Sequence, residues 1–443
     1  MYQYLTLQYH FKGKENELEL LRYLCHTAKN VYNNAVYLIK REYLKNNRLP
    51  LYRYIEAELV NKDFKKLHIT TSYELYTRAY QLFKLVIAKN QNGYNRFKEI
   101  NPDNLPRFLP KFAYTTIVIK DVKFDLQNLK MRVPINKDEL LNNLNDDKLK
   151  IFINKLKNDY ITFNIPKFFN DKIKKPIHLK ICPSKDGRVF TFFILYAIDK
   201  PRLKIDNGNA LAMDLGVDNL ASCVDTSYNA FIIDGRRLKS ILHLYNKKIA
   251  DLQGKLPLSQ KGRPIGTSKR IERMYIHRRN KVNDYLDKAV AKIIKYALEN
   301  NITTIVIGWN KGLTNGGVKL SIESSLKLKS RLNQSFMGIP FEKFREKIKT
   351  RCMLKGIKYV EKDESYTSVK SFYDNDNLND RVSKASGKRI TRGLYETKDG
   401  KIINADINAA LNILRKYLES IGKALETPNK IIVPYRIFVY DND

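Results

Sequence analysis

The stretch Asn209-Ala-Leu-Ala-Met-Asp-Leu-Gly-Val-Asp-Asn219 decides the fold of the C-terminal half. An apolar run from Leu211 to Leu215 carries a single carboxylate, Asp214. Gly216 breaks the run before a second one, Leu220 to Val224. The first run reads as a buried strand with a charge inside it. An ionised Asp there is costly unless compensated, and a bound divalent cation is a common compensation. A strand-terminal Asp that only caps a turn is the competing explanation. These residues alone leave both open.

Downstream, Ala230 to Ile233 is a third strand and Arg236 to Leu252 a helix. The loop Gly254 to Thr267 is rich in Gly, Pro, Ser and Lys. A long basic helix over Lys269 to Asn300 buries Val282, Leu286, Ala289, Ile293 and Ala297. Strand Thr303 to Ile307 ends in Gly308-Trp309-Asn310. Helix Phe341 to Leu354 then leads into strand Ile357 to Val360. Arg389 to Asn404 reads as a hairpin turned by Asp399-Gly400, and a final helix begins near Ala405. Strands followed by alternating helices and strands predict a mixed sheet covered by helices.

Upstream, Tyr2 to His10 alternates like a strand. Glu17 to Leu44 predicts one long helix with Leu21, Leu24, Ala28, Val31, Ala35 and Leu38 as its apolar stripe. Its other face carries Lys29, Lys40, Arg41 and Lys45. A second helix runs from about Tyr73 to Phe97. The interleaved Tyr, Phe, Lys and Arg of these helices suit stacking on bases and gripping phosphates, although such faces are commonly plain solvated surface. Asn101 to Phe112 holds too many prolines for a helix or inner strand and marks a boundary. Short strands follow at Tyr114 to Val122, Asn128 to Val133, Tyr160 to Ile165, Ile177 to Cys182 and Val189 to Ala197. Asn142 to Lys157 is a helix-compatible insertion, and Ser184-Lys-Asp-Gly187 a hairpin turn. This succession predicts a small barrel closed by the N-terminal strand.

The 443 residues carry a formal net charge of +35, far more than solubility requires. A/T-rich codon bias would raise Glu along with Lys, so it does not explain the excess. A polyanionic partner does, with nucleic acid the first candidate. No apolar run approaches the roughly 20 residues needed to span a bilayer, and Met1-Tyr-Gln-Tyr is not a signal peptide. The expectation is a cytoplasmic chain without a membrane partner. The four cysteines, Cys25, Cys182, Cys223 and Cys352, are scattered in apolar surroundings and read as reduced core residues.

Three elements of the C-terminal half carry acids where a sheet edge would gather them. Asp214 is on the first strand. Glu361-Lys-Asp-Glu-Ser365 follows the strand Ile357 to Val360. Asp406 opens the last helix in Asn404-Ala-Asp-Ile-Asn-Ala-Ala410, where the helix dipole also favours an anion. Each acid alone is explained structurally. Together, in so basic a chain, they fit a site for two Mg²⁺ or Mn²⁺ ions held about 4 Å apart for phosphodiester hydrolysis.

Met213 to Leu220 resembles the first RuvC motif of the TnpB (OrfB) family, transposon-encoded RNA-guided DNA endonucleases related to compact type V CRISPR effectors. Ala405-Asp-Ile-Asn-Ala-Ala-Leu-Asn-Ile413 resembles the third. Thr304 to Gly312, Glu364-Ser-Tyr-Thr-Ser368 and Lys388 to Leu394 are similar to signatures of one branch. Ala28-Lys-Asn-Val-Tyr-Asn33 and Asn101 to Phe112 also match. The resemblance implies a multidomain α+β protein. A wedge-type β-barrel (first strand in 1–15, remainder in 101–205) holds an inserted helical recognition domain (16–100). An RNase H-like (RuvC) α/β nuclease domain (206–443) follows, with a helical and loop insertion at 236–300. It also implies a guide RNA, target double-stranded DNA with a displaced single strand, a short target-adjacent motif and Mg²⁺-dependent cleavage in a prokaryotic, nucleoid-associated setting.

The resemblance assigns Asp214 and Asp406 as catalytic metal ligands. Most relatives carry a second catalytic Glu where this chain has Gly308. The Glu before Ser-Tyr-Thr-Ser takes that role in this branch, which nominates Glu364, with Glu361 and Asp363 as rivals because strand ends alternate faces. Arg392 is placed near these acids, against the scissile phosphate. Lys29, Arg270, Arg273, Arg278, Arg279 and Lys281 are the candidate nucleic-acid contacts. The usual zinc ribbon has no counterpart, since 366–404 holds no cysteine, and no zinc is expected. The alternative function is a nuclease-inactive RNA-guided repressor, marked by the missing Glu at Gly308. A tyrosine transposase would need a His-hydrophobic-His motif that is absent.

Overall fold

The computed structural model describes residues 2–60, 69–91, 104–156, 158–166, 175–199, 201–258, 262, 266–309, 338–378, 384–391 and 393–440. The chain forms two compact units, Met1–Lys200 and Pro201–Asp443.

In the first unit, strand β1 (Tyr2–Phe11) precedes helices α1 (Glu15–Asn46), α2 (Tyr52–Val60) and α3 (Ile69–Gln91). Then come β2 (Ile117–Ile119), β3 (Lys123–Asp125), β4 (Lys130–Pro134), α4 (Lys137–Asn143), α5 (Asp147–Asn154), β5 (Tyr160–Asn164), β6 (Lys175–Pro183) and β7 (Phe190–Asp199). Two antiparallel sheets result, in the orders β1-β7-β6-β2 and β3-β4-β5. Phe11 of β1 stacks on Phe192 of β7 at 4.6 Å, and Phe163 of β5 meets Phe11 edge-on at 4.9 Å, so the sheets share one core. Helices α1 to α3 are thus inserted between β1 and the rest of its own sheet. The β6–β7 hairpin turns at Ser184 to Gly187, where Gly187 takes a positive φ of 65°.

Several expected elements differ. The strand expected over Tyr114 to Val122 is ordered as strand only at Ile117–Ile119. The Asn142 to Lys157 region is split into two helices, because the Asp146 side chain caps α5 by accepting from the N–H groups of Lys148 and Leu149. Helix α2 has no counterpart in the sequence reading.

The second unit is built on one mixed sheet. Its strands are β8 (Ala210–Leu215), β9 (Asn219–Asp225), β10 (Ala230–Asp234), β11 (Thr304–Gly308), β12 (Lys358–Lys362) and, outside a small separate sheet, β16 (Tyr435–Ile437). The spatial order is β12-β11-β8-β9-β10-β16. β8, β9 and β10 form an antiparallel meander, while β11 and β12 run parallel to β8. Helices α6 (Arg236–Gly254), α7 (Lys269–Glu299), α8 (Phe341–Leu354) and α9 (Ala405–Glu419) complete the unit.

Alternation along β8 sorts its side chains between two cores. Leu211 and Met213 pack with Leu286 and Ile293 of α7. Ala210 and Ala212 pack with Leu411 and Leu414 of α9. Asp214 belongs to the second series, so its carboxylate projects on the α9 face. Gly216 makes the β8–β9 turn possible: a Cβ there would lie 2.7 Å from the Asn219 carbonyl oxygen. The region expected as one hairpin over Arg389 to Asn404 is a three-stranded meander of β13 (Lys388–Arg389), β14 (Leu394–Glu396) and β15 (Ile402–Asn404). It closes on buried Tyr395 and Ile403.

Candidate catalytic site

Parallel register brings the C-terminal ends of three strands level. Met213 of β8 pairs with Ile307 of β11, and Gly308 pairs with Lys362 of β12. Asp214 and Gly308 are the next residues along β8 and β11, and Glu364 lies two residues beyond the end of β12. A Cβ added to Gly308 would stand 3.4 Å from the Glu364 Cβ. Helix α9 crosses this end of the sheet, packed on β8, β9 and β11. Its cap is Asn404, whose side chain accepts from the N–H groups of Asp406 and Ile407 at 3.0 and 3.1 Å. Asp406 therefore sits in the first turn, where the helix dipole favours a carboxylate.

Asp214 lies within electrostatic reach of both Glu364 and Asp406. Burial first, then the charges of Asp406 and Glu364, push the Asp214 carboxyl well above the usual range, and Arg389 partly offsets this. Glu364 is raised by burial and by Asp363. Asp406 accepts from Asn219 Nδ2 at 2.6 Å and from Arg389 Nη2 at 3.1 Å. The cost of ionising Asp214 here is what a cation would relieve, and three carboxylates are the hard oxygen donors that Mg²⁺ or Mn²⁺ selects. Among the described residues, no three such side chains are already gathered as a ligand cage. The donor set fits the metal by type and charge.

The rival acids are engaged elsewhere. Glu361 accepts from the Tyr359 hydroxyl at 2.8 Å and pairs with Arg345 at 3.4 Å. Asp363 is exposed and accepts from Ser365 Oγ at 2.9 Å. Arg392 lies outside the described residues. Among the described residues the cation beside these acids is Arg389, for which the sequence carries no local signal, because its approach to Asp406 depends on the fold of the β13–β15 meander. Asn219 was also missed, although it closes the quoted stretch.

The nucleic-acid candidates divide. Arg270, Arg273, Arg279 and Lys281 are exposed on α7, and Arg278 is half-buried. Lys29 requires a correction, because it is buried, at 4% exposure, and donates to the Lys111 carbonyl at 2.8 Å. Asn33 makes a reciprocal pair with the backbone of Leu109, at 2.9 and 2.8 Å. The two N-terminal motifs thus meet each other: α1 side chains satisfy carbonyls of a proline-rich segment that cannot join a sheet ladder.

Residues 193–314 match a family described as a probable transposase of the OrfB, IS605 type. Residues 341–413 match the Cas12f1-like TNB domain. A TnpB-like protein, ORF457 of Acidianus two-tailed virus, is 25% identical over 238 residues, 52% of this chain and 46% of that protein. A putative transposase, A625R of Paramecium bursaria Chlorella virus 1, is 33% identical over 105 residues, 23% of this chain and 22% of that one. The chain thus spans less than half the length of either relative. A solved Cas12f1–sgRNA–target DNA complex contains a chain of similar fold. The TM-score is 0.55 at 13% identity, over 90% of this chain and 83% of that chain. Among the described residues no helix is long and apolar enough to cross a membrane.

Proposed function

We propose that this chain, related to the TnpB (OrfB) proteins and similar in fold to compact type V effectors, is an RNA-guided DNA endonuclease. The observation that carries the reading is the convergence of Asp214, Glu364 and Asp406 on one end of one sheet, through strand register and the packing of α9. The strand order β12-β11-β8-β9-β10, with β9 antiparallel, supports an RNase H-like (RuvC) domain over residues 206–443. The shared core of the two N-terminal sheets, with α1 to α3 inserted between their strands, supports a wedge barrel carrying a helical recognition domain.

In this reading Asp214, Glu364 and Asp406 would hold two Mg²⁺ ions, for which Mn²⁺ would substitute. When bound, these supply a hydroxide nucleophile and stabilise the leaving 3′ oxygen. The chain's own groups position the chemistry. Asn219 orients Asp406, and Arg389 supplies the nearby positive charge for a phosphate. The exposed cations of α7 hold guide RNA or the guide–target heteroduplex by its backbone, while base pairing reads the target. Target double-stranded DNA and its displaced strand are the substrates.

The test is to purify the protein with its RNA, sequence that RNA, and offer matching DNA in Mg²⁺. Cleavage near the matched segment is expected. Tight binding without cleavage would instead establish the RNA-guided repressor.

A further inference from the structure

The helix that carries Asp406 also holds the loop that carries Glu364. Asn408, Asn412 and Lys416 recur every four residues along α9 and face residues 363–372. Asn408 accepts from the Phe372 N–H at 2.9 Å and donates to the Lys370 carbonyl at 2.8 Å. Asn412 donates to the carbonyls of Thr367 and Lys370, at 2.9 and 2.8 Å. Lys416 Nζ donates to the Ser365 carbonyl at 2.7 Å and to the Asp363 carbonyl at 3.2 Å. The Glu364 carbonyl between them accepts from Thr367 Oγ1 at 2.8 Å. Three successive carbonyls around Glu364 are therefore each tied down.

We infer that Lys416 is a positioning residue: by clamping the peptides on both sides of Glu364, it sets the distance and direction of that carboxylate from Asp406. The inference rests on the assignment of Glu364 as a metal ligand. Its physical basis is that both acids are referenced to one rigid element. Asp406 belongs to the first turn of α9, and the Glu364 loop is fixed to the same helix two to three turns later. Gly308 provides no β-carbon support from the neighbouring strand, so the loop's orientation comes from the helix. The Asn408 and Asn412 amides are buried and the Lys416 ammonium is half-buried; such donors constrain a loop, since breaking a bond away from water leaves a carbonyl without a partner.

A plain lysine–phosphate contact is the competing role, and the two are separable. Lys416→Met should lower cleavage about tenfold and weaken Mn²⁺ binding, measured by electron paramagnetic resonance on the RNA-bound protein, by a similar factor. DNA affinity and its salt dependence should not change. Lys416→Arg, which retains donors for both carbonyls, should restore most of the loss. In a Glu364→Gln background, Lys416→Met should add nothing. Weaker DNA binding with unchanged Mn²⁺ affinity would overturn the inference in favour of a phosphate contact. Wild-type cleavage by Lys416→Met beside an inactive Glu364→Gln would overturn it outright. Full activity in Glu364→Gln would remove both the clamp and the assignment beneath it.

Discussion

A β-carbon at Gly308 would sit 3.4 Å from the Glu364 Cβ and 2.4 Å from the Ile413 Cδ1. The strand position next to Asp214 therefore has no room for its own side chain, because α9 packs Ile413 directly over it. The acid beside Asp214 arrives instead from the loop after β12.

Gly308→Ala is accordingly expected to destabilise the nuclease unit by about 1–3 kcal/mol through overpacking in a filled core. Ile413→Val, which removes the Cδ1 that the new methyl meets, should cost less in the Gly308→Ala chain than in wild type. Urea denaturation of the single and double variants checks it. An unchanged midpoint for Gly308→Ala would show that Ile413 yields freely.

Asp214→Ala and Asp406→Ala should each abolish DNA cleavage in Mg²⁺ while leaving RNA and target affinity close to wild type. On the proposed assignment both remove metal-ligand carboxylates and no phosphate-gripping cation. Cleavage and filter-binding assays on the same preparations distinguish this from general misfolding.

Among the three acids at the end of β12, Glu364→Gln should match Asp214→Ala in severity. Glu361→Gln and Asp363→Asn should retain most activity, since their carboxylates are engaged by Tyr359 and Arg345 or by Ser365. A dead Glu361→Gln with an active Glu364→Gln would reverse the assignment.

The raised Asp214 carboxyl makes a stability prediction with a definite sign. Its pKa is higher folded than unfolded, so the native state binds that proton more tightly. The metal-free protein therefore loses stability as pH rises from about 4 toward the folded value. In EDTA at neutral pH, Asp214→Asn should melt above wild type, each kcal/mol relieved being worth roughly 2–4 °C. The gap should narrow toward pH of about 4, and Mg²⁺ should raise the melting temperature of wild type more than that of the variant. Equal melting curves at both pH values would mean the charge is already compensated.

Nucleic-acid affinity should fall steeply with salt, as the +35 charge requires. Replacing Arg270, Arg273 or Arg279 by Gln should weaken binding of all sequences alike. Each phosphate contact removed should lower the log–log salt slope by about one. Lys29→Gln should leave that slope unchanged and lower thermal stability instead, because its ammonium is spent on the Lys111 carbonyl.

The sequence by itself determined the strands and helices of the sheet that carries the acids. An apolar run and period-3.6 patterns with clear Gly and Asn punctuation are local signals, so β8, α7, α8 and the start of α9 lie within a residue or two of their expected bounds. It also named Asp214 and Asp406, since a carboxylate inside an apolar run and another in a helix's first turn are visible locally. Only the tertiary structure decided which neighbours they have. The placement of Arg389 and Asn219 on Asp406, the burial of Lys29 against the Lys111 carbonyl, and the approach of Glu364 to Asp214 depend on how separate elements pack. Such contacts leave no local periodicity to read, because they are set by which side chains another element happens to face once the core is packed.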